Sequence, residues 1–320
     1  METSSPLFTF LKAIIPRALR PAARERYRRF RSALRAKKRI RLAPIDGERL
    51  VADLRAAGIG PGDIVMVHSS LSSVGNVGGG AETFIRGFQE AVSPGGTVLM
   101  PCYNSARDVI DGMKEGNITD LRTTPSATGT ITEIFRKSPG VFRSSHPFSS
   151  VCAWGDKAEY ITAGHADGAK VCHGSSPIGR LVELKGKVIG VGVPLAQGLG
   201  VHHYLEDTWE GFPFEVCAAP LPVKWIDNQG NIIKRTLCRY DPDVARTRID
   251  HEEGQWIGVK LTAHLIRKGV MRRFQYGDAD SWIMEADALY EELKRLAGKG
   301  VTMYLTEERL DNRNRDPEAW

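Results

Sequence analysis

The chain has 320 residues and a mass of 35.3 kDa, with 42% apolar and 26% charged residues. That balance excludes a disordered chain, a collagen and a polytopic membrane protein, and no stretch approaches the roughly 18 apolar residues of a membrane-spanning helix. The formal charge of +6 is unevenly placed: residues 1–42 carry 13 Lys and Arg against 2 Asp and Glu, a net of +11, which leaves the body at −5. An arm and a body of opposite sign are expected to meet different partners.

The basic segment reads as helix over 6–41, interrupted by Pro16 and Pro21, with an apolar cluster from Leu7 to Ile15 ahead of an arginine-rich stretch. It lacks the order of charges and the small-residue cleavage pattern of a signal peptide. Composition changes near Pro44, and Asp46 is placed to cap a helix running to Leu54. Asp63–Val67 is a short apolar run typical of a buried strand. A Ser/Gly-rich loop spans His68 to Gly80, then Ala81–Val92 has helical spacing, and Thr97–Met100 reads as strand. Residues 103–127 read as polar and irregular. Thr130–Arg136 reads as helix, Ser150–Ala153 as strand, Lys157–Ala163 as helix. Ser176–Leu184 reads as a helix with Pro177 in its first turn, Lys187–Val193 as strand, Gly200–Trp209 as helix. Pro220–Ile226 and Ile232–Cys238 flank Asp227-Asn228-Gln229-Gly230, a hairpin signal. Helix over Gly258–Lys268, strand over Val270–Phe274 and a long helix over Ser281–Leu296 complete the chain. Strands alternating with helices predict an α/β fold.

Five cysteines, Cys102, Cys152, Cys172, Cys217 and Cys238, make an odd count with no CxxC pair. That argues against a disulfide framework or a zinc knuckle and for reduced thiols in the cytoplasm.

Four polar constellations could carry chemistry. His68-Ser69-Ser70-Leu71-Ser72-Ser73-Val74-Gly75, followed by Gly78-Gly79-Gly80, joins a strand to a helix N-terminus. Free N–H groups at such a junction suit an anion, although the same residues also make a generous turn. It is neither a Walker loop nor a GxGxxG fingerprint. Within Gly200-Val201-His202-His203-Tyr204-Leu205-Glu206-Asp207, both histidines can share a helix face with Glu206, His203 at i, i+3 and His202 at i, i+4. An imidazole held by a carboxylate can serve as a general base; a histidine pair on a surface needs no function, and the spacing excludes a HExxH zinc site. Thr123–Ser126 with Arg143–Ser150 reads as turns and caps or as ligand contacts. Gly174-Ser175-Ser176-Pro177 reads as helix punctuation first. No serine sits in a G-x-S-x-G elbow, which ranks a serine hydrolase low.

Read in order, these strings resemble a known family. VHSSLSSVG at 67–75, SPGGTVLMP at 93–101, TPSATGTITEIFRKSPGVFRSSHPFSSVCAWG at 124–155, GSSPIGRL at 174–181, GKVIGVGVPL at 186–195 and HYLE at 203–206 are similar to the aminoglycoside 3-N-acetyltransferase family, over roughly residues 45–300. The resemblance implies a three-layer α/β/α sandwich, here with a basic helical N-terminal extension: residues 1–42 the extension, 43–305 the acetyltransferase domain, 306–320 a polar tail. It implies acetyl-CoA as cosubstrate, no metal, and an amino sugar as acceptor. It assigns His203 and Glu206 as the catalytic pair. It assigns His68, Ser69, Ser70, Leu71, Ser72, Val74, Gly75, Gly80 and Ser176 to the cofactor, with the loop 68–75 holding pantetheine and phosphates. Two features depart from the family pattern: the basic arm, and the stretch Asp207–Phe212.

Three functions therefore compete. The first is acetylation of aminoglycosides. The second is acetylation of a nucleotide- or lipid-linked amino sugar in polysaccharide assembly. The third is a catalytically inactive protein that binds anionic surfaces. The arm is expected to hold a cytoplasmic enzyme peripherally at the inner face of an anionic membrane, each basic residue contributing about 1 kcal/mol near the surface. Packing of the arm on the acidic body or on a second copy in a homo-oligomer is the open alternative. Nucleic acid is disfavoured, because no groove-reading motif accompanies the charge.

Overall fold

The computed structural model describes residues 43–104, 106–248 and 260–304. The expected N-terminal extension and C-terminal tail lie outside the described residues, as does the first part of the helix expected over 258–268.

Helix α1 (Gly47–Ala56) starts where Asp46 accepts a hydrogen bond from the Arg49 N–H at 2.8 Å, the expected cap. Strand β1 (Ile64–Ser69) follows, then a single turn α2 (Leu71–Val74) inside the loop read as Ser/Gly-rich. Helix α3 (Gly80–Val92) leads to β2 (Thr97–Pro101). The segment expected to be irregular contains α4 (Ala106–Lys114) and the two-residue β3 (Thr119–Asp120). Helix α5 (Thr130–Arg136), β4 (Phe142–Arg143), β5 (Val151–Gly155), α6 (Ala158–Thr162) and α7 (Pro177–Glu183) come next. After β6 (Lys187–Val191), a 3-10 turn at Leu195–Gln197 introduces α8 (Gly200–Thr208). The hairpin β7 (Leu221–Ile226) and β8 (Ile232–Leu237) forms as expected, its turn closed by Asp227, which accepts from the N–H groups of Gln229 and Asn231. Helix α9 (Pro242–Arg246), α10 (Thr262–Arg267), β9 (Met271–Tyr276), β10 (Ala279–Glu285) and α11 (Ala286–Gly298) end the described chain.

Seven strands form the main sheet in the order β4-β5-β2-β1-β6-β10-β9. Only β2, β1 and β6 run parallel; the flanks are antiparallel. Alternation along β1 sends Val65 and Val67 to one face and Met66 to the other. On the first face α1, α3 and α5 bring Leu50, Leu54, Phe84, Phe88 and Phe135. On the second, α6, α7, α8 and α11 bring Ile161, Ile178, Leu181, Leu205, Leu289 and Leu293. The result is the expected three-layer α/β/α sandwich. A small sheet, β3-β7-β8, buries Val223, Trp225 and Leu237 with Val109 of α4 over a third cluster. That packing gives α4 a structure its polar local sequence did not announce.

A second expectation fails. Ser281–Glu285 is not helix but the first half of a strand–helix junction: β10 pairs antiparallel with β6 from Ser281 opposite Val191 to Glu285 opposite Lys187. Helix begins only at Ala286. Trp282 explains the choice. Its ring occupies the space a Cβ would need at Gly190 and Gly198, at 2.0 and 2.1 Å, and its Nε1 donates to the Val193 carbonyl at 2.9 Å. Sheet pairing and this fit override a helical hydrophobic period.

The order of crossovers places the site. The β1-to-β2 connection runs through α3 on one face, and the return to β6 runs through α7 on the other. The strand order therefore switches at β1, and the crevice outside its carboxyl end is where such sheets take ligands. His68 and Ser69 end that strand.

Two stability predictions follow from this packing. Replacing Gly190 by alanine should cost about 1–3 kcal/mol in denaturant unfolding, because the new methyl must displace Trp282 from a filled core. The second concerns buried histidines. His165 stacks on His146 at 4.7 Å between ring centres, accepts or donates with Ser144 Oγ at 2.8 Å, and is held near 3 by burial; His68 is lowered to about 4, also by burial. These rings are neutral in the fold but protonate near 6.5 once unfolded, so below that pH the unfolded chain binds protons that the fold does not. Stability should fall as pH drops from about 6.5 towards 4, and His165→Gln should flatten that slope even if it lowers the plateau.

Candidate active site

Helix α8 turns Val201 and Leu205 into the core, which carries the neighbouring positions His202 and Glu206 almost wholly inside: they are 2% and 4% exposed. His203 lies one position further round and keeps 21% of its side chain in solvent. His203 Nδ1 is 2.8 Å from Glu206 Oε2. His202 Nδ1 closes on the other oxygen, Oε1, but without hydrogen-bond alignment, so both buried atoms lack a hydrogen-bond partner among the described residues. The structure thus brings both histidines to one carboxylate.

Electrostatics explain how that carboxylate stays charged. Burial alone raises a carboxyl pKa; here the two imidazoles, His202 before His203, more than offset it and hold Glu206 well below the ordinary range. A carboxylate only accepts, so Nδ1 of His203 carries the proton, and in the neutral ring Nε2 presents its lone pair. Arg248 Nη1, a donor only, lies 3.3 Å from that Nε2. Tyr240 covers the ring at 4.7 Å between centres and 36° between planes. The outward nitrogen is therefore a basic atom at a part-exposed position, which is what a proton acceptor requires.

Arg248, Tyr240 and Asp207 were not singled out from the sequence. Asp207 follows Glu206 on the helix, accepts from the Cys172 N–H at 2.9 Å and lies 3.6 Å from the Cys217 thiol. Burial raises its carboxyl to about 6. Asp207 closes the Gly200–Asp207 string, but only the fold carries Arg248 and Tyr240 across some 40 positions to His203. Phe212, in the departing stretch 207–212, stands edge-on to His202 at 6.1 Å.

The residues expected to hold the cofactor fall into two groups. The Ser70 N–H donates to the Val191 carbonyl at 2.9 Å, tying the end of β1 to the end of β6. Ser70, Ser72 and Ser73 hydroxyls link at 3.1 Å, and Ser73 Oγ donates to the Gly192 carbonyl at 3.2 Å. Ser73 and Gly192 border a cleft of about 460 Å³, lined also by Val193, Trp282, Arg273, Asp278 and Asp280. Ser69 and Leu71 are partly exposed. His68 is buried, and its Nε2 has no hydrogen-bond partner in the described structure. Val74 and Ser176 are wholly buried and serve the fold: Val74 accepts from the Asp278 N–H, and Ser176 caps α7 through the Gly179 N–H at 3.1 Å. Gly75 and Gly80 have φ of +105° and +61°; at Gly75 a Cβ would meet Asp278 Oδ2 at 2.4 Å.

The cleft and His203 are linked through the chain itself. Val193, Pro194 and Leu195 line the cleft and lead straight into α8. The arrangement puts the cleft just before the helix that carries His203 and Glu206.

Residues 66–297 match the family model described as aminoglycoside 3-N-acetyltransferase. The chain is 34% identical over 265 residues to aminoglycoside N(3)-acetyltransferase VII of Streptomyces paromomycinus, covering 76% of this chain and 88% of that one. It is 27% identical over 265 residues to aminoglycoside N(3)-acetyltransferase IX of Micromonospora chalcea, covering 77% and 91%. Among solved structures it is similar to aminoglycoside acetyltransferase AAC(3)-Xa, with TM-score 0.70, 26% identity, and coverage of 86% and 99%. It is also similar to AAC-IIIb, solved as a binary complex with CoASH, with TM-score 0.67, 26% identity, and coverage of 85% and 98%. With the expected sandwich in place and the family match running from β1 into α11, the chain belongs to the aminoglycoside 3-N-acetyltransferase family and is an enzyme of that N-acyltransferase type.

Proposed function

We propose that this enzyme transfers the acetyl group of acetyl-CoA to an amine of an aminoglycoside or related amino sugar, with His203 as general base and Glu206 as its orienting partner. The observation that carries the reading is the 2.8 Å contact from His203 Nδ1 to a buried, ionised Glu206, which leaves Nε2 as the acceptor. Membership of the family, and a relative solved with CoASH, support the donor.

In this reading the acceptor amine displaces Arg248 from Nε2 and gives His203 its proton. The amine nitrogen attacks the thioester carbonyl carbon; the C–N bond forms, the C–S bond breaks, and the imidazolium returns the proton to the departing thiolate. No acyl-enzyme is needed. Such a base contributes about 10²–10⁴-fold. The ionised Glu206 behind His203 offers a counter-charge to a cationic acceptor that displaces Arg248. Ser69, Ser70 and Ser176, with the backbone around the loop, are the candidates for stabilising the oxyanion. The cleft lined by Ser73 and Gly192 is the candidate place for the pantetheine arm, with the phosphates towards the start of α3.

A lipid-linked amino sugar is the second reading, favoured by the +11 charge of residues 1–42 beside the apolar cluster Leu7–Ile15. None of the described helices is long and apolar enough to cross a membrane. In this reading attachment is peripheral, at the inner face, through insertion of apolar side chains and contact of arginines with anionic headgroups.

Two experiments test these proposals. In a thiol-release assay with acetyl-CoA and a panel of amines, His203→Ala should lower turnover by about 10²-fold or more, with Glu206→Gln intermediate. Full turnover in His203→Ala would remove the base. A chain starting at Ala43 should keep activity on a soluble amine and lose sedimentation with anionic liposomes. Full-length protein that ignores such liposomes at low salt would make the arm a packing element of the body or of a homo-oligomer.

A further inference from the structure

The double histidine leaves a feature that base catalysis does not use. His202 is 2% exposed, and its Nδ1 has no aligned hydrogen bond, although it presses on Glu206 Oε1, an atom equally buried and equally unaligned. One donor nitrogen from each histidine and one carboxylate oxygen lie within 4.8 Å of one another. Imidazole nitrogen and carboxylate oxygen are the donors that Zn²⁺ prefers when thiolate is absent.

We propose that His202, His203 and Glu206 form a Zn²⁺ site, and that occupancy of this site silences the enzyme. Around a tetrahedral ion with bonds of about 2.0–2.1 Å, neighbouring ligand atoms stand about 3.3 Å apart. His203 Nδ1 and Glu206 Oε2 stand 2.8 Å apart, so modest side-chain rotation opens the pair around an ion. The ionised carboxylate supplies charge, and the ring of His203, with 21% of its side chain in solvent, supplies the way in and the open fourth position.

The consequence for catalysis follows from the tautomer. The proton on His203 Nδ1 must leave before that nitrogen can bind metal, and the other ring nitrogen, Nε2, receives it. The ring stays neutral, no bond to substrate changes, and Nε2 becomes a donor. A donor cannot take a proton from the acceptor amine. This inhibitory half rests on His203 being the base; the binding half does not.

The test uses full-length protein freed of metal by a chelator and titrated with Co²⁺ as a visible probe. One equivalent should give d–d bands without the near-ultraviolet charge-transfer band of thiolate ligands, and one equivalent of Zn²⁺ should abolish them. His202→Leu should weaken Co²⁺ binding at least tenfold. In the thiol-release assay one equivalent of Zn²⁺ should suppress wild-type turnover, and chelator should restore it. The proposal is overturned by absence of the bands, by a thiolate band showing a cysteine site instead, by unchanged binding in His202→Leu, or by full turnover with Zn²⁺ bound. Turnover of His203→Ala in chelated buffer is read separately, so a failed metal site and a failed base are told apart.

Discussion

Trp282 joins the fold to the site. Its indole fills the notch left by two glycines, Gly190 on β6 and Gly198 just before α8, and its N–H holds the Val193 carbonyl between them. Both walls of the notch must lack a side chain, because the ring stands where a Cβ would be. The path from the central strand to the histidine helix is thereby pinned at three points. The same ring also lines the cleft at the end of β1. A single close-packed contact therefore sets the register of β10 on β6, the shape of the ligand crevice and the starting position of α8. Close-packed interiors transmit such constraints, since little empty space is left to absorb a shift.

The second constraint is electrical. An ionised carboxylate inside a protein is costly unless it is paired. Glu206 meets that condition with two imidazoles, one on each oxygen. The partners are not equivalent. His202 is enclosed by Phe212 and Tyr304, whereas His203 keeps solvent access beneath Tyr240 and Arg248. One histidine thus belongs to the interior and the other to the site, although they are adjacent in sequence. A helix rotation of about 100° per residue produces the difference.

The clustering of thiols and acids behind α8 extends this. Asp207 accepts from the Cys172 backbone and lies against Cys217, and burial raises its pKa. A carboxyl near 6 beside an ionised Glu206 lets the charge of the site change between mildly acidic and neutral conditions. The reduced thiols of Cys172, Cys217 and Cys238 are part of this wall and make no disulfide.

The sequence by itself determined the features that depend on local chemistry. Asp46 and Ser176 announce helix starts because a short oxygen beside free N–H groups has one favourable use. Asp227–Gly230 announces a hairpin for similar reasons, and the apolar run at 63–67 announces a buried strand. The order of the motifs determined the family, and the resemblance of HYLE to the family motif singled out His203 and Glu206. Tertiary structure decided what depends on distant partners. Ser281–Glu285 has helical spacing but pairs with β6, because Trp282 finds its notch only there. Residues 106–114 look irregular until Val109 is buried under β7 and β8. Spacing allowed either histidine to face Glu206; the fold turned both towards it, buried one, and brought Tyr240 and Arg248 to the other. Periodicity reports which faces of an element are apolar. It cannot report what will cover them, and the environment of a catalytic ring is made almost entirely of such coverings.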